Sequence, residues 1–322
     1  MKGLKIFSEA GYETGFGHFT RMSGICERAV EDGYPVQLFL KADEVAEGLL
    51  ARPYVSFEDW ASAGAVSRMI GSDDVAVVDS YNVDISFLEG LKDLSGELIV
   101  IDDNIRLDYR QMTVINPNYF GEYLDYPADC GNEYHTGKDC TLMRRAFYRE
   151  FERGVNDSVE QILITMGGSD ALGLTDEVID MVRSIDRDVK LNVVATGAYR
   201  NLDAIRARLS SADDLFLDID AEKMRLLMMT SDFAIASGGG VSNELIKCQC
   251  PALLVETADN QRLNIEYLHE HGIIDRLVRH ETDKIRDMFP YAKRAAFADK
   301  LKEKSSGKSG VDVVLRKLGG EE

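Results

Sequence analysis

The sequence predicts an α/β protein made of two Rossmann-like domains, each a doubly wound parallel sheet. Short apolar segments alternate with amphipathic helical segments along the whole chain, which is typical of parallel sheets covered on both faces. A polar break at residues 154–158 separates two such series, and 322 residues are enough for two domains. We therefore expect an N-terminal domain over residues 1–155 and a C-terminal domain over residues 156–322 that ends in a charged helical tail.

The first series begins with the apolar strand 4–8 and the helix 17–32, whose apolar residues recur at helical spacing before Gly33 ends it. Four further strands follow the same pattern, at residues 35–40, 75–79, 97–101 and 113–116, with a helix over 85–94. The alternation weakens at residues 119–137, a segment rich in Tyr, Asp, Gly and Pro that we leave unassigned. A helix is expected around residues 146–153, before the polar break.

The second series repeats the alternation from residue 161. Its strands are expected at residues 161–166, 190–195, 215–219, 233–236 and 252–255. The helices between and after them are expected at residues 174–185, 202–209, 221–230, 241–248 and 261–271. The tail from residue 283 is helical and charged, with a last helix over residues 311–318. Ligands of such sheets bind beyond the carboxyl ends of the strands, so the loops at that edge carry the functional predictions.

Three glycine turns follow predicted strands and precede predicted helices. They are Gly15-Phe16-Gly17-His18, Gly167-Gly168-Ser169 and Gly238-Gly239-Gly240-Val241-Ser242-Asn243-Glu244. Such a turn can bind phosphate, because free backbone N–H groups and the helix dipole point the same way. A glycine turn can also be only a tight connection. None of the three matches a nucleoside-triphosphatase loop or a complete dinucleotide fingerprint, but together they favour a phosphorylated ligand.

His18 is the candidate general base, because the positive potential of a helix N-terminus disfavours imidazolium and favours the neutral ring. The alternative is a histidine that only makes structural hydrogen bonds. Glu244, in the first turn of its helix, either complements the helix dipole or binds the hydroxyls of a ribose.

Other polar residues follow strands at the same edge. Tyr81 comes after the strand 75–79, the acid pair Asp102 and Asp103 after 97–101, and Asn260-Gln261 after 252–255. Either acid could orient His18 or bind a sugar hydroxyl, and the amides suit sugar hydroxyls as well. Helix capping and solvated turns are the alternative roles of these acids and of the asparagine.

The amino-acid composition argues against some classes of binding partner. A net charge of −19 argues against nucleic acid or an anionic membrane surface, and no apolar run is long enough for a membrane span. Five cysteines show no zinc-type spacing, which together with the absence of a signal-peptide pattern predicts reduced thiols and a cytoplasmic protein. We expect no metal and no cofactor, and a monomer is the default oligomeric state.

The ordered motifs resemble those of the UDP-2,4-diacetamido-2,4,6-trideoxy-β-L-altropyranose hydrolases of pseudaminic acid biosynthesis. The matching motifs are Gly15-x-Gly17-His18-x-x-Arg21, Asp79-x-Tyr81, Ile101-Asp102-Asp103, Leu142-x-Arg144-x-x-Phe147, Met166-Gly167-Gly168-x-Asp170, Ala236-Ser237 with Asn243-Glu244, and Asn260-Gln261. They span residues 13 to 265, and the C-terminal part is shared with a wider group that includes the GlcNAc transferase of peptidoglycan lipid synthesis.

The resemblance implies a GT-B fold, with UDP bound mainly by the C-terminal domain and the sugar directed towards the N-terminal domain across a cleft. His18 would activate the water that attacks the anomeric carbon, without a metal. Gly15, Gly17, Arg21, Tyr81, Asp103, Asn260 and Gln261 would lie on the sugar side. The nucleotide would be held by Gly167, Gly168, Ser169, Gly239, Gly240, Val241, Ser242 and Glu244.

Three functions are therefore considered. The first is hydrolysis of a UDP-sugar to UDP and a free, amino-deoxy sugar in bacterial surface-glycan biosynthesis. The second is a GT-B glycosyltransferase that uses the same base on an acceptor hydroxyl, and the third is a nucleotide-sugar-binding subunit without catalysis. An intact Gly-x-Gly-His motif weighs against the third, since a binding protein has no need of a base.

Overall fold

The computed structural model of the protein describes residues 2–320. The chain divides into two compact units: the first ends at Arg145 and is rejoined by the chain from Ser306 onward, and the second is Ala146–Ser305. Each unit contains one sheet, and all neighbouring strands are parallel. This confirms the predicted fold class of two Rossmann-like parallel-sheet domains.

The first unit has a seven-stranded sheet in the spatial order β3-β2-β1-β4-β5-β6-β7. Its strands are β1 (Leu4–Ala10), β2 (Val36–Ala42), β3 (Val55–Phe57), β4 (Val75–Asp79), β5 (Glu97–Ile101), β6 (Thr113–Asn116) and β7 (Glu133–Thr136). Its helices before residue 145 are α1 (Gly17–Glu31), α2 (Glu44–Leu50), α3 (Ala63–Val66) and α4 (Ile85–Leu94). The register aligns Ser8 of β1 with Asp79 of β4, so the loops after these strands start side by side.

The second unit has a six-stranded sheet in the order β10-β9-β8-β11-β12-β13. Its strands are β8 (Gln161–Thr165), β9 (Lys190–Ala195), β10 (Asp214–Leu217), β11 (Phe233–Ser237), β12 (Ala252–Val255) and β13 (Asp275–Arg276). Its helices are α5 (Leu174–Ile185), α6 (Leu202–Arg208), α7 (Ala221–Thr230), α8 (Val241–Lys247), α9 (Arg262–Glu270), α10 (Thr282–Arg286) and α11 (Tyr291–Lys304).

Each sheet is buried in its own apolar core, as the near-continuous apolar strands require. In the first unit Phe7 stacks on Phe39 with ring centroids 5.2 Å apart, and Trp60 meets Phe7 edge-on at 5.6 Å. The indole N–H of Trp60, only 1% exposed, donates to the carbonyl of Ser8 at 2.9 Å, so the buried ring leaves no polar atom unpaired. This contact fixes the carboxyl end of β1, from which the candidate site begins.

The predicted helix over residues 146–153 is wrong. A short 3₁₀ turn, Arg145–Tyr148, is followed by irregular backbone. The guanidinium of Arg153 donates to the carbonyls of Met228 and Ser231, and Asn156 donates to Asp232 at 2.8 Å. These bonds within the second unit hold the segment against the end of α7 and the start of β11, which the apolar pattern of the segment alone does not reveal.

The domain limits differ from the predicted 155/156 division in two respects. The second unit begins at residue 146, and the C-terminal helix α12 (Gly310–Gly319) belongs to the first unit rather than the second. The hydroxyl of Ser309 and the amide of Gly310 both donate to the carbonyl of Thr141, at 3.0 and 3.1 Å. A Cβ at Gly310 would lie 2.5 Å from the carbonyl oxygen of Cys140, so glycine permits this close approach.

The unassigned segment 119–137 contributes β7 to the edge of the first sheet, in parallel register with β6. Two 3₁₀ turns, Tyr119–Tyr123 and Ala128–Cys130, precede that strand. Within residues 2–320 the helices are all too short or too polar to cross a bilayer.

A matched pair of glycine substitutions tests the packing of α1. A Cβ at Gly24 would lie 2.0 Å from the carbonyl oxygen of Met143, whereas Gly48 of α2 is exposed with nothing within 4 Å. We expect Gly24→Ala to lower the free energy of unfolding by about 1–3 kcal/mol, because backbone cannot move aside. Gly48→Ala should raise it by up to about 1 kcal/mol through helix propensity. Urea denaturation measures both, and equal effects would contradict the close packing.

Candidate active site

His18 lies in the first turn of α1 and is 6% exposed. The turn before it needs a positive φ, +74°, at Gly15, and a Cβ at either Gly15 or Gly17 would meet nothing within 4 Å. Phe16, the residue that caps α1, makes no side-chain capping bond. The open side of this turn therefore has room for a ligand beside the imidazole.

The Nδ1 atom of His18 is 2.7 Å from Oδ1 of Asp79 at the end of β4. A carboxylate only accepts hydrogen bonds, so Nδ1 carries the proton and Nε2 carries the lone pair. No hydrogen bond from Nε2 occurs among residues 2–320. The edge of the Tyr81 ring packs on the imidazole with centroids 4.8 Å apart. In the neutral form of the ring, Nε2 is therefore the nitrogen that can accept a proton.

Arg21, one turn further along α1, binds the same carboxylate. Its Nε donates to Oδ2 of Asp79 at 2.7 Å and one terminal nitrogen donates to Oδ1. Burial by itself would raise the pKa of Asp79, but Arg21 and His18 outweigh it and the pKa is lowered. Asp79 is fully buried and ionised, so it can hold the proton on Nδ1 without taking it.

Asp103, after β5, receives four donors. Arg21 donates to its two oxygens at 2.9 and 3.1 Å, Asn118 donates at 2.8 Å, and the Tyr81 hydroxyl donates to Oδ2. Burial opposes ionisation of Asp103, but Arg21 and then Tyr81 lower its pKa. The pKa of Tyr81 is raised, first by burial and then by the Asp103 charge. Arg21, Tyr81 and Asp103, all expected on the sugar side, thus bind one another.

The acid that orients His18 is Asp79, and not Asp102 or Asp103, for which this role was one of several alternatives. Asp102 instead accepts the backbone N–H groups of Ile105 and Arg106, at 2.7 and 3.0 Å, together with the hydroxyls of Tyr109 and Tyr126. It shapes the loop after β5. The sequence signal for Asp79 was its place at the end of a strand, but only the β1–β4 pairing places it beside His18.

Glu9 is a second buried acid that the sequence did not single out. It accepts the backbone N–H of Tyr81 at 2.9 Å and the side-chain amide of Asn82 at 2.5 Å, and it is 4% exposed. It therefore fixes the loop that carries Tyr81.

In the second unit the turn at Gly167-Gly168-Ser169 follows β8, with φ +82° at Gly167. Its carbonyls are bound from the loop after β9: the Tyr199 hydroxyl donates to Gly167 at 2.9 Å and the Thr196 hydroxyl donates to Gly168 at 2.5 Å. Asp170 accepts the backbone N–H groups of Leu174 and Thr175 at the start of α5. These two amides are therefore unavailable to a phosphate, and the role of residues 167–169 stays a prediction.

The turn at Gly238–Ser242 is held from behind by α9. Asn264, 5% exposed, donates to the carbonyl of Gly238 and to the hydroxyl of Ser242, both at 2.9 Å. That hydroxyl in turn donates to the carbonyl of Gly239 at 2.8 Å. A Cβ at Gly238 would lie 2.3 Å from Ile265, whereas a Cβ at Gly240 would meet nothing within 4 Å. Gly240 and Val241 thus begin α8 on an open side, and Glu244 of its first turn is buried, 3% exposed.

Gln261 serves this turn, although we expected it to face the sugar. Its Oε1 accepts the backbone N–H groups of Gly238 and Thr257 at 3.1 and 3.0 Å, and its Nε2 donates to the Thr257 hydroxyl at 2.9 Å. Asn260 is exposed in the short 3₁₀ turn Asp259–Gln261. Across the described residues, no group of three His, Cys, Asp or Glu side chains is placed to hold a metal ion.

Curated proteins with similar sequences include three relatives. SpsG, a spore coat polysaccharide biosynthesis protein of Bacillus subtilis, is 22% identical over 83% of this chain and 81% of its own. The pseudaminic acid cytidylyltransferase and UDP-2,4-diacetamido-2,4,6-trideoxy-β-L-altropyranose hydrolase of Helicobacter pylori is 23% identical over 92% of this chain. The uncharacterised protein MJ1062 of Methanocaldococcus jannaschii is 24% identical over 59%. The alignments span 54% of the Helicobacter protein and 41% of MJ1062, so the resemblance to the hydrolase rests on part of a longer protein.

Solved structures with the same fold include MurG and two proteins with bound UDP. MurG of Acinetobacter baumannii superposes with a TM-score of 0.63 at 13% identity, covering 98% of this chain and 99% of its own. TcCGT1 in complex with UDP superposes with a TM-score of 0.64 at 10% identity, covering 99% of this chain and 100% of its own. MnaA of S. aureus with UDP superposes with a TM-score of 0.61 at 11% identity, covering 99% of this chain and 96% of its own. These likenesses confirm the GT-B-like fold. No protein-family model matches the chain.

Acid titration of stability tests the two buried carboxylates. Their pKa values are lowered in the folded protein, so each stabilises it above about pH 4 and this contribution is lost as the pH falls. We expect the wild type to lose on the order of 1 kcal/mol more than Asp103→Asn between pH 5 and 3. Urea denaturation across this range measures it, with exposed Asp73→Asn as the control. If the free energy of unfolding fell by the same amount with pH in wild type and in Asp103→Asn, the ion pairing would be contradicted.

Proposed function

We propose that this chain is a nucleotide-sugar-processing enzyme in which His18 is the general base. The observation that carries the proposal is the pair of His18 and buried Asp79, 2.7 Å apart, which leaves Nε2 as proton acceptor at an open glycine turn. A base positioned in this way contributes about 10²–10⁴-fold to a reaction.

The proposed reaction is hydrolysis of a UDP-sugar. Nε2 of His18 takes a proton from water as the water oxygen forms a bond to the anomeric carbon. The bond between that carbon and the β-phosphate oxygen breaks, and UDP leaves with the electron pair. The negative charge that develops on the diphosphate is stabilised by backbone N–H groups at a helix N-terminus, which need no cation. The proposal is therefore of a metal-independent hydrolase.

We place the nucleotide at the turn that begins α8, with its phosphates on the backbone of Gly239, Gly240 and Val241 and its ribose near Glu244. Ser242, expected to bind phosphate as well, donates its N–H and its hydroxyl to the carbonyl of Gly239 and so shapes the turn. Support comes from the open space at Gly240 and from the bonds of Asn264 and Gln261 behind the turn. Gly167, Gly168 and Ser169 would contribute backbone contacts. The sugar is assigned to the turn at Gly15 and Gly17, beside His18, with exposed Asn260 a further contact.

The hydrolase assignment follows the resemblance to the Helicobacter protein, whose name includes hydrolysis of an amino-deoxy UDP-sugar. The similarity to a spore coat polysaccharide biosynthesis protein supports a place in glycan synthesis. Glycosyl transfer is the second candidate, because the spinosyn rhamnosyltransferase SpnG shares the fold. The same base would then deprotonate an acceptor hydroxyl. A binding subunit without catalysis is disfavoured, because it would need no paired histidine.

A panel of nucleotide sugars separates these functions. We expect purified protein with a UDP-linked amino-deoxy sugar and no acceptor to release UDP and free sugar. In ¹⁸O-water the label should enter the sugar, because the proposed bond is broken on the sugar side. We expect His18→Gln to lose on the order of 10²–10⁴-fold in kcat. His280→Gln, at a side chain 82% exposed, is the matched control and should keep full activity.

Chromatography of UDP with mass spectrometry of the sugar reads out each outcome. Release that requires an added acceptor would replace hydrolysis by transfer, and full turnover by His18→Gln would remove the base assignment. Activity should persist in excess chelator, and its loss would overturn the metal-independent mechanism.

The nucleotide position is tested by Gly240→Ala. Gly240 has φ −56° and ψ −21°, which alanine adopts freely, and its added Cβ meets no protein atom within 4 Å. We expect unchanged stability but a UDP Kd raised about tenfold or more, because the methyl group occupies the space of a phosphate oxygen. Isothermal titration calorimetry measures the Kd, with Gly48→Ala as the control. An unchanged Kd would place the diphosphate elsewhere.

A further inference from the structure

We infer that Asp103 controls the proton affinity of His18 through Arg21, and that it is a positioning residue rather than a ligand of the sugar. The inference builds on the proposed function, in which His18 is the base. It gives Asp103 a different role from the sugar-side contact expected by resemblance.

The first observation is that Asp103 has no acceptor capacity left for an additional ligand. Its two oxygens receive two bonds from Arg21, one from Tyr81 and one from Asn118. The residue is 9% exposed. A sugar hydroxyl that donated to Asp103 would have to displace one of these internal donors, two of which come from a charged group.

The second observation is the charge count around His18. Two buried carboxylates, Asp79 and Asp103, share the single guanidinium of Arg21. The cluster therefore carries one net negative charge while the imidazole is neutral, and it becomes neutral when His18 takes a proton. Asp103 is linked to the His18–Asp79 pair through Arg21, which contacts both carboxylates.

Removing Asp103 would change that balance. Arg21 donates two hydrogen bonds to Asp79, so without Asp103 its charge would be cancelled by Asp79 alone. The imidazolium formed in the reaction would then be an uncompensated buried cation, which costs free energy in a low-dielectric site. By neutralising Arg21, Asp103 leaves the charge of Asp79 available to the imidazolium.

The other groups around His18 do not alter this count. Tyr81 packs on the ring and donates to Asp103, and burial and that carboxylate keep its phenol protonated by raising its pKa. Glu9 lies outside the hydrogen-bonded cluster, because its oxygens accept the backbone N–H of Tyr81 and the side-chain amide of Asn82. The N-terminus of α1 adds positive potential, which destabilises the imidazolium. Protonation of His18 therefore depends more strongly on the net negative charge of the cluster.

A double-mutant cycle tests the inference. Asp103→Asn leaves the cluster neutral, and we expect the NMR ring signals of His18 to titrate about one pH unit lower than in the wild type. Arg21→Met leaves two negative charges, so the signals should titrate about one pH unit higher. The double variant restores one negative charge, and its titration should return to that of the wild type. Asn118→Ala, which removes a donor but no charge, should leave the titration in place.

Kinetics add a second readout. The acid limb of the kcat/KM profile should move in the same order as the NMR titration. For Asp103→Asn, kcat should fall about tenfold while KM stays within about twofold, because the residue does not touch the sugar. Circular dichroism and urea denaturation verify folding at each pH. If Asp103→Asn does not fold, the comparison of Arg21→Met with the double variant still decides the result.

The outcomes separate this inference from the proposed function. An unmoved His18 titration in Asp103→Asn, or a double variant that fails to return to the wild-type value, overturns the inference whatever the activity. A large rise in KM with unchanged kcat would make Asp103 a sugar ligand and would also overturn it. If the His18 titrations follow the expected cycle but the protein turns over no nucleotide sugar, the charge relation is supported and the proposed function is rejected.

Discussion

The candidate site depends on one buried guanidinium held between two carboxylates. Arg21 reaches from α1 to Asp79 at the end of β4 and to Asp103 after β5, and so ties a helix to two neighbouring strands. Charges this deeply buried are costly unless paired and hydrogen-bonded, and here every oxygen of both carboxylates has a donor. The orientation of the His18 ring follows from this, because the position of Asp79 is set by Arg21.

In the second unit, the glycine turns are held by neutral side chains. A backbone that binds phosphate must keep its N–H groups outward, so its carbonyls have to be satisfied from behind. Asn264 does this for the carbonyl of Gly238 in the turn after β11, and Thr196 and Tyr199 do it for the turn after β8. Gln261 holds the first of these turns differently, by accepting the N–H of Gly238. Both turns are therefore shaped by side chains from other parts of the same unit, before any ligand is bound.

The fold says less about the reaction than the site does. Proteins at 10–13% identity share this architecture, two of them with bound UDP, because buried parallel strands covered by helices suit many sequences. Hydrolysis and transfer need the same base and the same leaving group. They differ in the nucleophile, which is decided by what the sugar-side turn admits and not by the His18–Asp79 pair.

The sequence by itself determined the two parallel-sheet units, most of their strands and the three glycine turns, because apolar periodicity and turn chemistry are local. It missed the short strands β3, β7 and β13 and misjudged residues 146–153, where bonds from Arg153 and Asn156 replace helix formation. The tertiary structure alone decided that Asp79 orients His18, that Asp103 binds Arg21, and that α12 joins the first unit. Each is a pairing of residues distant in the chain, which is fixed by strand order and packing rather than by neighbours in sequence.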